Sequence, residues 1–334
     1  MARVLGIAIA FLILVAGIAS VWIYNRVTSF DVERVTDDVH VIRNGLAGNV
    51  GVLRTDLGAV VVDTMTFRLQ GQRVRELATK LGGGPIQAVV NTHYHRDHTH
   101  GNLAFPPGGT FVATRRTRDY LLYWDADYWE GGAAATLPNR TFDDSHEMRI
   151  GGKTIRSYHP GPGHTGGDLV VLFVEDRVLH AGDLLFNRQY PFIDVPAGGS
   201  TRAWDETLSA VLRLDFDRVI PGHGEVTDRE GLIAFQRFLR ELWSEVEAAV
   251  KAGKSLEDTL ATVELREDAD FEVRSIPLVM RRDRDFAIRL AYAEASGETR
   301  PVAVPRASAR RRGRLRGPGP DAAAIAAAGE GTRW

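Results

Sequence analysis

Thr92-His93-Tyr94-His95-Arg96-Asp97-His98 places three imidazoles and a carboxylate within six residues, His93 to His98. It directly follows Ile86-Gln87-Ala88-Val89-Val90, an apolar run with β-forming residues at its end. Neutral imidazole and carboxylate are the donors that hold a borderline cation such as Zn²⁺. Donors at the end of a strand sit on backbone free to turn, yet on a rigid scaffold. The competing reading of this segment is a polar, solvated loop, and the rest of the chain decides between the two.

Upstream, Gly48–Leu53 and Ala59–Asp63 read as two strands joined by the turn Thr55-Asp56-Leu57-Gly58, a hairpin. Residues 27–45 alternate apolar positions (Val39, Val41) and read as edge strands. Arg68 to Leu81 has helical periodicity at Val74, Leu77 and Leu81, and Gly82-Gly83-Gly84-Pro85 stops it. Downstream, Thr110–Ala113 is a short strand followed by a helix through Tyr120-Leu121-Leu122. The second half is again strand-rich: Ile155–Tyr158, Leu169–Val174, Val178–Leu185 and Arg218–Ile220, with a helix over Ala203–Leu214. Glu230–Lys251 is a long amphipathic helix, and Ser255-x-x-Asp258 starts another. Strands ending in polar loops, with helices between, predict two sheets sandwiched by helices.

At 334 residues the chain accommodates one large domain plus extras. There is no Cys, which excludes disulfides, thiolate zinc sites and thiol catalysis. The net charge of −2 gives no overall field to draw in nucleic acid. Leu5 to Tyr24 is an uncharged, mostly apolar run between Arg3 and Arg26, and at helical rise it covers about 30 Å, the thickness of bilayer hydrocarbon. Residues 1–26 therefore read as a membrane anchor or a signal segment, with the bulk of the protein extracytoplasmic or, after cleavage, secreted. From Arg300 the chain turns rich in Pro, Gly, Ala and Arg, so 300–334 is expected to be a disordered tail. That leaves 27–299 as the folded domain.

Three further loops carry ligand types at strand ends: His164 after Pro160-Gly161-Pro162-Gly163, Asp183 in His180-Ala181-Gly182-Asp183, and His223 in Pro221-Gly222-His223-Gly224. Any one alone reads as structural; four in one chain do not. With these strings the sequence resembles the metallo-β-lactamase superfamily over about residues 35–250. The resemblance implies an α+β fold, an αββα sandwich of two mixed sheets with helices outside and metals at one edge. Its ligand set is similar to that of glyoxalase II and of bacterial quinoprotein-associated or lactamase-like zinc hydrolases. The commonest class B β-lactamases have Cys where Asp183 stands and no His ligand at the position of His98.

Carried over residue by residue, the resemblance implies one Zn²⁺ on His93, His95 and His164, another on Asp97, His98 and His223, and Asp183 bridging them. Asp63 would orient a ligand, or serve only as a turn residue. Two such cations share a water and make it the nucleophile for an ester, thioester or lactam carbonyl, with Asp97 as the catalytic side chain orienting it. The expected partner is a small-molecule substrate. Iron or manganese are alternative metals, and a mononuclear iron, persulfide-oxidising relative and a β-lactamase proper are alternative functions. His180 is expected to be packed, and His100 to reach the cleft. The aromatic run Tyr120–Trp129 either packs or walls the pocket. Arg188 and Tyr190 are candidates to meet a substrate carboxylate.

Overall fold

The computed structural model describes residues 14, 17, 18, 21, 24–276 and 280–306. The apolar run at the amino end lies mostly outside the described residues, as does the tail beyond 306. Among the described residues no helix is long and apolar enough to cross a membrane.

Two mixed sheets form the centre. The first holds, in spatial and sequence order, β1 (Asp31–Arg34), β2 (Val39–Arg43), β3 (Val50–Thr55), β4 (Gly58–Val62), β5 (Ile86–Val90), β6 (Phe111–Thr114) and β7 (Arg140–Phe142). Strands β1 to β4 pair antiparallel and β4 to β7 parallel. The second sheet has the order β13-β12-β11-β10-β9-β8, from Ser145–Ile150 (β8), Lys153–Tyr158 (β9), Val170–Phe173 (β10), Val178–Phe186 (β11), Arg218–His223 (β12) and Thr227–Asp228 (β13). Only its β11–β12 pair is parallel.

Period-2 alternation explains the layering. Val39, Val41, Leu53, Val60, Val62, Ala88 and Val90 of the first sheet meet Val171, Phe173, Val178 and Ile220 of the second in one buried cluster. The alternate residues Val50, Val52, Val61 and Val89 face the helix Arg68–Gly82 through Val74 and Ala78. On the far side Leu172, Leu179 and Val219 pack on helices Thr201–Val211, Arg229–Lys251 and Arg284–Ala295 through Trp204, Phe235, Phe238 and Ile288. The order of layers is helix, sheet, sheet, helix, the expected αββα sandwich. Each such side chain taken out of water contributes about 1.5–3 kcal/mol.

Helix ends follow their local chemistry. Gln70 Oε1 accepts from the N–H groups of Thr66 and Phe67 at the start of Arg68–Gly82, and Gly83 closes it at φ 67°. Ser200, Asp228, Ser255 and Asp283 each accept a backbone N–H at the start of the helix that follows.

Three expectations are corrected. The helix expected over Ala203–Leu214 runs Thr201–Val211, because Ser200 caps it earlier. The strand expected to end at Ile220 continues to His223 by pairing with β11. The tail is not free from its first residue: Val302 N–H donates to Pro196 O at 2.8 Å and Val304 packs beside Tyr120 and Trp129. The apolar alternation of Pro301–Pro305 was hidden in the tail's average composition.

Candidate metal centre

The four donor-bearing segments meet at one edge of the sandwich. After β5 the chain turns and His95 precedes a single helical turn, Arg96–Thr99, which swings Asp97 and His98 back toward His93. A buried amide network fixes this turn. Thr64 N–H donates to His98 O at 2.9 Å, and the side chains of Thr64, Asn91 and Asn102 bond to one another beneath it. His164 comes from the β9–β10 loop. Asp183 sits inside β11, where the register with β12 shifts between Gly182 and Phe186, and His223 ends β12.

Two groups of donors result. Ligand atoms of His93, His95, His164 and Asp183 lie within 4.8 Å of one another, and so do those of Asp97, His98 and His223. Asp183 stands between them. Its Oδ2 lies 3.4 Å from His164 Nε2 and 3.4 Å from His223 Nε2, and its Oδ1 lies 3.1 Å from His98 Nε2. His98 Nε2 and Asp183 Oδ1 are both buried without a hydrogen-bond partner despite that separation.

The outer ring nitrogens explain why the inner ones are bare. His164 Nδ1–H donates to Phe192 O at 2.7 Å. His95 Nε2–H faces Asp194 Oδ2 at 2.9 Å, and His98 Nδ1–H faces Asp63 Oδ2 at 2.7 Å. Thr92 gives its hydroxyl proton to Asp63, so its oxygen accepts from His93 Nδ1–H at 3.1 Å. A neutral imidazole that donates outward presents a lone pair inward. Three such lone pairs, on His93, His95 and His164, therefore converge, with His164 Nε2 only 2.7 Å from His95 Nδ1 and 3.2 Å from His93 Nε2, and His98 Nε2 lies beside them, 3.1 Å from Asp183 Oδ1. Such crowding of acceptors, with two carboxylates beside them, fits a pair of cations.

Charge agrees with this arrangement. Burial pushes His93 well below the usual imidazole range and brings His164 down to about 3, so both stay neutral. Burial also disfavours a charge on His98, but the carboxylates of Asp183, Asp97 and Asp63 outweigh it and hold His98 well above that range. Burial raises Asp97 and Asp183, yet the facing imidazoles hold both below the ordinary carboxylate range. The excess negative charge that draws a proton to His98 is the charge a dication neutralises.

Two glycines are required by close approach. A Cβ at Gly222 would lie 1.9 Å from Asp183 Oδ1, and one at Gly48 would lie 2.2 Å from the His98 ring.

All seven expected donors come together. Asp63 is more than a turn residue. It is fully buried in a left-handed conformation (φ 65°) that ends β4, and it holds Thr92 N–H, Thr92 Oγ1 and His98 Nδ1. His180 is packed, its Nε2 3.3 Å from Asn49 O. His100 does not join the donors; it stacks on Tyr128 at 3.6 Å, 3.5 Å from Asp125. The aromatic run packs: Tyr120, Trp124 and Trp129 form a satellite core with Tyr94. Tyr190 is buried with its hydroxyl on Asp268, away from substrate, while Arg188 is exposed at the cleft beside His223 and pairs with Asp270 at 3.1 Å. Sequence reasoning missed Asp194, which also accepts from Tyr94 Oη, and Asp168. The Asp168 carboxylate holds Thr165 N–H in the turn after His164 and is pushed up to about 7 by burial.

The family model described as the metallo-β-lactamase superfamily matches residues 43–223, more than half of the chain. The chain belongs to the metallo-β-lactamase superfamily. It is 26% identical over 243 residues to the 2,4-dinitroanisole O-demethylase subunit alpha of Nocardioides sp. (strain JS1661), covering 70% of each chain. It is 25% identical over 214 residues to a metallo-β-lactamase type 2 of Bacillus sp. (strain 170), covering 63% of this chain and 75% of the relative. Among solved structures, a metallo-β-lactamase from Pontibacter korlensis aligns with TM-score 0.55 at 21% identity over 64% of this chain and 99% of that one. The sec-alkylsulfatase Pisa1 from Pseudomonas sp. aligns with TM-score 0.60 at 17% identity over 79% of this chain and 50% of that one. At these identities the structures speak for the fold. With family and donors together, the protein is a metallo-hydrolase of this superfamily with a His/Asp metal site.

Proposed function

We propose that this superfamily member is a dinuclear zinc hydrolase that cleaves an ester, thioester or lactam. One observation carries the reading: five imidazoles and two carboxylates gather in two groups, with Asp183 in reach of both. His93, His95 and His164 would hold one cation and Asp97, His98 and His223 the other, with Asp183 between. Such a pair supplies Lewis acidity and lowers the pKa of water toward about 7.

The chain's own residues do the rest. Asp97, one-third exposed, is the carboxylate best placed to accept a hydrogen bond from the attacking water and orient it. Asp63, Thr92, Asp194 and Phe192 O hold four imidazoles in one orientation, each with its other ring nitrogen pointing inward. Phe186 and Phe192 stand against His223, His164 and His95 at ring separations of 5.2–5.9 Å and keep that side dry. Beyond His223 a cleft of about 680 Å³ opens, lined by Asn49, Arg43, Arg188 and Arg274, which is room for a small molecule.

The relatives are named for a lactamase, an O-demethylase and a sec-alkylsulfatase, so the bond cleaved is tested first. Purified protein is assayed for metal and for turnover of nitrocefin, a 4-nitrophenyl carboxylic ester, an acyl thioester and a 4-nitrophenyl sulfate. The reading expects two zinc per chain and turnover of at least one carbonyl substrate. One iron per chain, or turnover of the sulfate alone, contradicts it. We infer as well that residues 1–26 tether the enzyme with its domain extracytoplasmic. Protease accessibility of the domain in intact cells checks this, and a domain found in the soluble cytoplasmic fraction contradicts it.

A further inference from the structure

Beyond the family-matched region, β14 (Arg274–Ile276) and β15 (Met280–Arg282) form a small antiparallel hairpin in which Arg274 is the direct partner of Arg282. Directly paired residues project on the same face of a hairpin, and like charges there are destabilising. This pair stands beside the metal centre. The Arg282 guanidinium lies 5.3 Å from the Phe186 ring centroid, and that ring also meets metal-site His223, nearly parallel at 5.2 Å, and His164 at 5.6 Å. Arg274 lines the same cleft as His223. Arg282 is half-buried, and among the described residues it has no carboxylate within ion-pair distance. Other arginines near the cleft are matched: Arg43 by Asp31, Glu33 and Glu225, and Arg188 by Asp270. Among the described residues Arg274 has only Glu272, at 3.9 Å.

The carboxylates whose field reaches Arg282 are Asp183 and Asp97. In the proposed enzyme both are committed to cations. The charge that balances a half-buried guanidinium then has to arrive from outside.

We propose that Arg282, supported by Arg274, is a specificity-determining residue that binds a carboxylate on the substrate, set apart from the bond that is cleaved. This rests on the hydrolase reading above. Guanidinium suits the role because its planar fork grips a carboxylate through two parallel hydrogen bonds. The Phe186 face beneath it orients the fork and lowers local polarity. The substrate class is therefore an anionic acyl compound rather than a neutral one.

The test compares mono-4-nitrophenyl succinate with 4-nitrophenyl butyrate on the full-length zinc-loaded protein. The acyl chains are similar in length and differ in the terminal carboxylate. Wild type is expected to prefer the succinate ester in kcat/KM by at least tenfold. Arg282→Met is expected to collapse that preference at least tenfold, chiefly through KM, and Arg282→Lys to restore part of it. Arg281→Met, whose side chain pairs outward with Asp283, is expected to keep the preference. Calorimetric binding of succinate to the same zinc-loaded proteins gives a readout independent of turnover, and Arg282→Met is expected to weaken it about tenfold at unchanged zinc content. An unchanged preference and unchanged succinate affinity in Arg282→Met overturn the proposal. If wild type cleaves neither ester, the hydrolase reading fails on these carbonyls, and the succinate titration still decides the role of Arg282.

Discussion

The two donor groups are built differently. In the first, His93, His95 and His164 are each backed by an outward hydrogen bond, and His93, His164 and Asp183 are almost fully enclosed. In the second, only His98 has such a partner; Asp97 is one-third exposed, and His223 is steadied by stacking on Phe186. Outward partners fix tautomer and direction before a cation arrives, so less ordering remains to be done on binding. In the dinuclear reading proposed above, the first group would be the rigid, tight cation site, and the second, facing the cleft, the weaker one, where substrate and exchange would enter.

Substitutions that break this contrast rank by how many groups they reach. Asp183→Ala touches both and is expected to remove turnover altogether and drop bound zinc below one per chain, measured on purified protein. His223→Ala touches only the open group. It is expected to leave about one tightly held zinc while turnover falls at least a hundredfold, an order typical of losing one electrostatic stabiliser. If it lost both cations, the groups would not be separable. Asp194→Ala and Asp63→Ala remove one outward partner each. Each is expected to lower affinity about 10–100-fold, Asp194→Ala at the first group and Asp63→Ala at the second, seen as a shift in one titration phase only.

The last effect lies outside both groups and touches stability rather than metal binding. His180 is buried and neutral, its pKa brought down to about 4 by that burial. In the unfolded chain a histidine takes up a proton near the ordinary value of about 6.5. Between those values the unfolded state binds the extra proton, so stability falls as pH drops from about 6.5 to 4, by about 3 kcal/mol in all. Denaturant unfolding of metal-free protein across that range is expected to show a shallower slope in His180→Gln. An unchanged slope contradicts the assignment.

The seven donors were legible from local patterns: four cluster directly after an apolar strand, and His164, Asp183 and His223 each follow a Gly in or after an apolar run. The outward partners were not. Asp194 meets His95 across 99 residues of sequence, and only the folded β11–helix connection brings it there. Gly48 looked like an ordinary strand residue, yet its missing side chain is what admits the His98 ring. Strand β8, Ser145–Ile150, was missed because an edge strand with three charged or His positions lacks the apolar alternation that marks its neighbours. The hairpin with Arg274 and Arg282 was missed for a similar reason: Arg281-Arg282-Asp283-Arg284 reads as a solvated charge run until pairing sets Arg282 opposite Arg274.

Calorimetric titration of metal-free protein with zinc tests the central claim most directly. Two zinc ions per chain are expected, binding in two distinguishable phases with proton release, the tighter phase lost in His164→Ala and the weaker in His223→Ala. A single ion per chain, or two phases that both survive His164→Ala, would contradict it.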